Sequence, residues 1–453
     1  VKKPPFIAGE PVLGTLREFA RDRLGFLSEV ARRGDVVSFK VGWRLFHLVA
    51  SPEGVQRVLV DNYPNYTKET RGQDLLRTVL GDGLVTSEGD AWRRQRRLAQ
   101  PAFHKDRLAT FVPIMTRSAR EMLATWKDGE TRDVSAELSK LTLTAVGRAL
   151  MSTELADSAT DVGQALTLVL REIAARTISI VDLFLGTRVP TPRNRRFNSA
   201  IASLDRVVEA TIAERRRDPG GHQDLLSLLM TARDEETQLG MSDRLLRDQV
   251  ITMILAGHET TSNALAWTLL LLSKHPAVER QARAEVESVL GDREPELADL
   301  GRLEYVRAVV EESMRLYPPV WTLARNVLHD DVISGYDVPG GSYVFVSPWV
   351  THRHPAVWDN PEGFDPERFL GHSSGERARY AYFPFGGGAR QCIGNTFALT
   401  EAQVILAMIL QRFRLDLVPG QRIEPEPLAT LRPKYGMEMR LKARRERVPV
   451  LAV

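Results

Sequence analysis

The chain contains one cysteine, Cys392, and the residues around it suit a charged sulfur. The segment runs Phe383-Pro384-Phe385-Gly386-Gly387-Gly388-Ala389-Arg390-Gln391-Cys392-Ile393-Gly394. Three consecutive glycines permit a tight turn and let backbone approach a neighbour closely, because no Cβ intervenes. A helix is expected to start two residues after the cysteine. The free N–H groups and positive end of such a helix favour a thiolate. Arg390 would aim a cation at an acidic group, and Phe385 would shield the sulfur. With no second cysteine, an internal disulfide and any multi-cysteine zinc or iron–sulfur site are excluded.

A second unusual segment is Ala256-Gly257-His258-Glu259-Thr260-Thr261. It lies midway along an expected helix that Ser242 caps and that runs to about Ser273, before His275-Pro276 ends it. The second half of this helix is apolar on most sides, which predicts burial through the middle of a domain. Glycine there costs about 1 kcal/mol against alanine, and a Glu–Thr pair is expensive in a core. Local rules are broken where function would justify it. Ala256 and Gly257 would leave room for a small ligand, Thr260 could hydrogen-bond it or a water, and Glu259 could relay protons. The plainer alternative is a helix kink stabilised by a threonine hydroxyl. His258 reads as packing or solvent-facing.

Further motifs stand in a fixed order: Trp92-Arg93-Arg94-Gln95-Arg96, Glu312-Ser313-Met314-Arg315, Arg325, and Pro366-Glu367-Arg368-Phe369. Together with Phe385, Gly388, Arg390, Cys392 and Gly394, this series resembles the cytochrome P450 family along nearly the whole chain. The five loop positions alone would match by chance in roughly one chain of this length in ten thousand. The resemblance implies a mainly α fold with a minor β lobe, in one domain over residues 1–453. The β-rich lobe is expected at about 30–70 plus 320–350. It implies b-type haem with Cys392 as the iron ligand, which favours O–O cleavage by pushing electron density. Trp92, Arg96, Arg325 and Arg390 would anchor the propionates, and Glu312, Arg315 and Arg368 would form a structural ion network. Glu259 and Thr260 would serve catalysis, with Ala256 and Gly257 beside dioxygen and substrate.

The implied activity is monooxygenation: one atom of dioxygen enters a C–H or C=C bond and the other leaves as water. No flavin or iron–sulfur module fits, so electrons from NAD(P)H would arrive through a separate ferredoxin and its reductase. A peroxide-driven peroxygenase and a non-catalytic haem-thiolate sensor are the alternatives. Both fit the retained Glu259–Thr260 pair less well, since a sensor needs no proton delivery.

Positioning these residues requires mostly helices. Helical periodicity dominates from about Asp90 to Leu290, and a last long helix is expected over Thr396–Phe413. Strands are expected at Val36–Val41 and Phe46–Ala50, then at Val332–Val338, Tyr343–Ser347 and near Met437–Leu441. The 61 Lys and Arg against 58 Asp and Glu give no basic footprint for nucleic acid. No run approaches the roughly 18 apolar residues of a membrane span, so a cytoplasmic monomer is expected. Because the chain begins at Val1, an upstream anchor stays open.

By resemblance, substrate would meet Gly72–Leu84, Ile173–Phe184, Ile254–Ala256, Val320–Leu323 and Tyr435–Met437. Their Leu75, Leu76, Val79, Leu183, Val320, Trp321 and Leu323 imply a mainly apolar molecule such as a fatty acid, terpenoid or polyketide. Other basic clusters, Arg215–Arg217 and Arg444–Arg447, read as solvated. At least Arg93, Arg94 or Arg97 is expected to project outward near Cys392, where an exposed cationic patch could steer an acidic ferredoxin.

Overall fold

The computed structural model describes residues 1–152, 159–179, 182, 189–218, 220, 224–234, 238–371 and 377–444. Thirteen strands are present among them: β1 Phe6–Ile7, β2 Val36–Val41, β3 Arg44–Val49, β4 Tyr66–Thr67, β5 Thr131–Asp133, β6 Leu323–Val327, β7 Asp331–Ile333, β8 Tyr336–Val338, β9 Tyr343–Val346, β10 Phe413–Leu417, β11 Pro425–Pro427, β12 Leu431–Pro433 and β13 Glu438–Ala443. Six of them form the main sheet, in the order β1-β2-β3-β9-β6-β4. β2 and β3 pair antiparallel, with Val36 opposite Val49 and Phe39 opposite Phe46, around a turn whose Gly42 has φ +60°. The other sheets are β10-β13-β5 and the hairpins β11-β12 and β7-β8. Sequence patterning misses β1, β4, β5, β6, β10, β11 and β12. Three prolines disguise β11 and β12, since proline in a run argues against a strand.

The helices that build the site are α1 (Arg71–Leu80), α2 (Gly89–Ala99), α3 (Lys105–Ala124), α4 (Val134–Met151), α5 (Ala159–Thr177), α6 (Asp243–Lys274), α7 (Glu304–Leu316) and α8 (Asn395–Arg412). The long helix α6 behaves as its sequence suggests: Ser242 accepts a hydrogen bond from the Leu245 N–H, and His275 follows its last residue. It lies against α4, where Thr142 Oγ1 donates to the His258 carbonyl across 3.0 Å.

A fully buried ion pair locks α7 to the segment that follows the main sheet. Arg315 makes five hydrogen bonds: two to the Glu312 carboxylate and one each to the carbonyls of His352, Pro361 and Gly363. Arg368 lies 3.5 Å from Glu312. Such a pair contributes to stability only because every donor is satisfied. The expected Glu312–Arg315–Arg368 network is therefore present, and it is structural.

Candidate active site

Between α6 and the cysteine loop lies a cavity of about 1010 Å³. The loop is held by the Cys392 N–H, which donates to the Phe385 carbonyl at 2.9 Å, and by glycines at positive φ, Gly386 (+70°) and Gly388 (+62°). Cys392 is exposed, and it forms part of the lining of this cavity. Burial pushes the thiol pKa up, while the Gly394 N–H and the Arg96 cation pull it down. A coordinated metal takes the proton's place in such a site. Phe385, Gly394, Arg390 and Cys392 all line the cavity. Gly388 does not. A Cβ on it would stand 2.1 Å from the Leu59 carbonyl oxygen, so this glycine seats the loop on neighbouring backbone.

The opposite wall is α6, with Ala256, Gly257, Glu259 and Thr260 all on the cavity. Thr260 Oγ1 donates to the Ala256 carbonyl at 2.6 Å, which leaves its lone pairs as acceptors. Glu259 is buried, its Oε2 has no partner, and desolvation lifts its pKa to about 7 against the pull of Thr430 and Arg432. Gly257 departs from the expectation. Its missing Cβ points at Val146 of α4, 3.1 Å away, so the glycine lets two helices approach as well as bordering the cavity. His258 is buried packing, kept neutral by burial with a pKa of about 4.

Cations gather at the cavity. Trp92 and Arg96 share one face of α2; Arg96 donates to the Gln391 carbonyl at 2.7 Å, and Arg390 stacks 3.7 Å over the Trp92 ring. Arg325 on β6 is buried, with its one hydrogen bond among the described residues to the Ala324 carbonyl. Burial lowers its pKa to about 10. The sequence reading missed Lys68, which reaches the same place. Burial, then the charges of Arg325 and Arg390, bring its pKa to about 7, and its ammonium donates to the Val85 carbonyl at 2.9 Å. Glu88, which pairs with Arg390, is the one carboxylate near these four cations among the described residues.

This arrangement fits haem. A single sulfur cannot hold iron alone, and among the described residues no cluster of His, Cys, Asp or Glu offers further ligands. A macrocycle would supply them, and its two carboxylates would neutralise the excess cations. A description of the family Cytochrome P450 matches residues 4–439. The chain belongs to the cytochrome P450 family. It is 39% identical to cyclooctatin synthase of Streptomyces melanosporofaciens over 93% of this P450 and 92% of that protein. Pentalenene oxygenase of Streptomyces avermitilis is 35% identical, covering 97% of this chain and 98% of its own. The crystal structure of the cytochrome P450DA haem domain superposes with a TM-score of 0.89, at 30% identity and 98% coverage of both chains. The protein is thus a haem-thiolate monooxygenase with b-type haem, mainly α with a minor β component.

Two expectations about the surroundings change. The outward arginines of α2 are engaged: Arg93 pairs with Asp90, Arg97 with the buried Asp234 at 3.0 Å, and Arg94 donates to the Gly240 carbonyl at 2.9 Å. The patch therefore carries less free charge than its sequence suggests. Substrate-facing residues also shift at the C-terminal end, where Leu428, Ala429 and Thr430 line the cavity. Tyr435 is exposed and Met437 belongs to the core. Leu183 and Arg445–Arg447 lie outside the described residues. Among the described residues no helix is long and apolar enough to cross a membrane.

Proposed function

We propose that this P450 oxygenates a terpenoid hydrocarbon skeleton, with electrons delivered by a ferredoxin and its reductase. The observation that carries the reading is the cavity wall above Cys392: Leu76, Leu80, Leu84, Val320, Leu323 and Leu428 offer an apolar guest shape and dispersion rather than hydrogen bonds. Relatives named for cyclooctat-9-en-7-ol and pentalenene support the same class. Bound haem supplies the activation of dioxygen and the insertion of one of its atoms.

The chain's own residues orient and protonate. Cys392 would hold the iron, with the Gly394 N–H and Arg96 favouring the charged form of its sulfur. Trp92, Arg96, Arg325, Arg390 and Lys68, which line the cavity, would hold the carboxylates of the group. Thr260, its proton committed to Ala256, accepts a hydrogen bond from water in the cavity, and Glu259 refills that water from a carboxyl that titrates near neutrality. Ligand-induced spin-state screening against terpenes, fatty acids and polyketides tests the substrate class. Labelled dioxygen with NAD(P)H, ferredoxin and reductase should then place one labelled atom in a terpenoid product. Turnover of fatty acids but of no terpene, or label-free product formed from peroxide alone, would overturn the reading.

A further inference from the structure

Buried arginines in this protein meet carboxylates. Among the described residues Arg148 pairs with Glu121 at 2.7 Å, Arg176 with Glu172 at 3.1 Å, Arg215 with Asp224 at 2.6 Å and Arg315 with Glu312 at 2.7 Å. Arg325 is the buried exception, and the haem carboxylates would supply its counter-charge. Withdrawing a charge from water without an opposite partner is costly, so a cation of the cavity wall that lacks one marks a place for a ligand to provide it.

Arg23 is such a cation. It opens the helix Arg23–Ala31, is half-buried, and lines the cavity together with Leu13, Leu16 and Phe19. Its Nη1 donates to the Pro427 carbonyl at 2.9 Å and its Nη2 to the Ala174 carbonyl at 2.9 Å. A guanidinium has five N–H donors, so more than half of them have no acceptor among the described residues. No carboxylate pairs with Arg23 there either, and burial alone acts on its pKa, lowering it.

The two carbonyls tie the N-terminal helix to β11 and to α5, but they answer only part of the charge. Ala174 lies in the last turn of α5, and the carbonyl end of a helix carries roughly half a negative charge. The cations set for haem stand apart: Lys68, Arg325 and Arg390 act on one another, and none of them acts on Arg23. The two carboxylates of haem therefore leave Arg23 uncompensated.

We propose that Arg23 is a specificity-determining residue: its free N–H donors bind a carboxylate carried by the guest, so that the substrate is a terpenoid acid anchored on this wall with its apolar skeleton along Leu76, Leu80 and Leu84. The planar guanidinium fork matches the two oxygens of a carboxylate, and hydrogen bonds between ionised partners are the strong ones. The proposal takes the skeleton from the terpenoid reading and the acid from Arg23 alone.

The test reads the spin-state shift of haem-loaded wild type, Arg23→Gln and Arg23→Lys on titration with matched pairs. Geranic, farnesoic and abietic acids, each beside its methyl ester, represent terpenoids; palmitic acid and its methyl ester represent fatty chains. The reduced carbon-monoxide band and the urea midpoint check that each variant is folded and holds haem. Wild type should bind at least one terpenoid acid about 10- to 100-fold more tightly than its ester. Arg23→Gln should lose that preference while binding the ester as before, and Arg23→Lys, which keeps the charge without the fork, should retain part of it. If Arg23→Gln does not fold, the acid-to-ester ratio in wild type and Arg23→Lys decides: an unchanged ratio in Arg23→Lys refutes the role of the fork. Equal affinity for acid and ester in the wild type, no shift with any acid, or a preference that survives in Arg23→Gln overturns the proposal. A preference shown by palmitic acid alone and lost in Arg23→Gln keeps the anchor and overturns the terpenoid reading.

Discussion

Replacing Gly257 by alanine separates two reasons for a glycine at that place, room for a small molecule or close packing of helices. The added Cβ would lie 3.1 Å from Val146 Cγ2, whereas carbon atoms rest comfortably at about 3.5–4.0 Å. One helix must therefore yield by about half an ångström, and overpacking of this kind costs about 1–3 kcal/mol. Against this stands the helix preference for alanine, about 1 kcal/mol. The expected net loss for Gly257→Ala is about 0–2 kcal/mol. Val146→Ala alone should also destabilise, because it opens a small void. In the Val146→Ala background the clash is gone, and Gly257→Ala should then stabilise by about 1 kcal/mol. Denaturant unfolding of the four haem-loaded proteins gives the coupling energy, expected at about 1–3 kcal/mol. Additive effects within about 0.5 kcal/mol would refute the packing argument. Unchanged stability with poor coupling of oxygen to product would instead favour the reading of Gly257 as room for dioxygen.

Cys392→His should move the Soret band of the reduced carbon-monoxide complex from the thiolate to the imidazole position; an unchanged spectrum would remove Cys392 as ligand. Thr260→Ala should keep haem but lose one hydrogen bond worth about 1 kcal/mol, cutting product per NAD(P)H about fivefold with peroxide in its place. Equal coupling in the variant would mean that other groups order the proton path. Burial raises the Glu401 carboxyl from 4.5 to about 8, so the native state binds an extra proton between those values. The stability this group contributes is fully present below about 4.5 and lost as pH rises through about 8. Glu401→Gln should therefore lose less stability than the wild type between about pH 5 and about pH 8, measured by urea midpoints; parallel losses would contradict the raised pKa.

What the sequence revealed divides along locality. The cap at Ser242, the stop at His275 and the turn before Cys392 depend on neighbours in the chain, and they stand where residue types place them. Lys68 depends on pairing. β4 runs antiparallel to β6 with Thr67 opposite Asn326, so the next residue, Lys68, comes to Arg325, and no pattern within residues 60–70 reveals it. Thr430 was hidden because the prolines of β11 and β12 mask a hairpin. Gly257 was legible as an exception but not in direction, since a helix face is chosen only when α4 arrives. The α2 arginines show the same limit: Asp234, far along the chain, takes up the charge of Arg97.

Lys68, Arg96, Arg325 and Arg390 come from a strand edge, a helix, a second strand and the cysteine loop, and one carboxylate stands among them. Their mutual repulsion works against closing the chain around the cavity. An anionic guest converts that repulsion into attraction at four distant points of the chain at once. Haem is on this view a folding ligand as much as a reagent, and mass action makes the stability of the fold depend on its supply. Cells short of haem would then accumulate less of the protein, through clearance of its unligated form, before any shortage of activity per molecule could be seen.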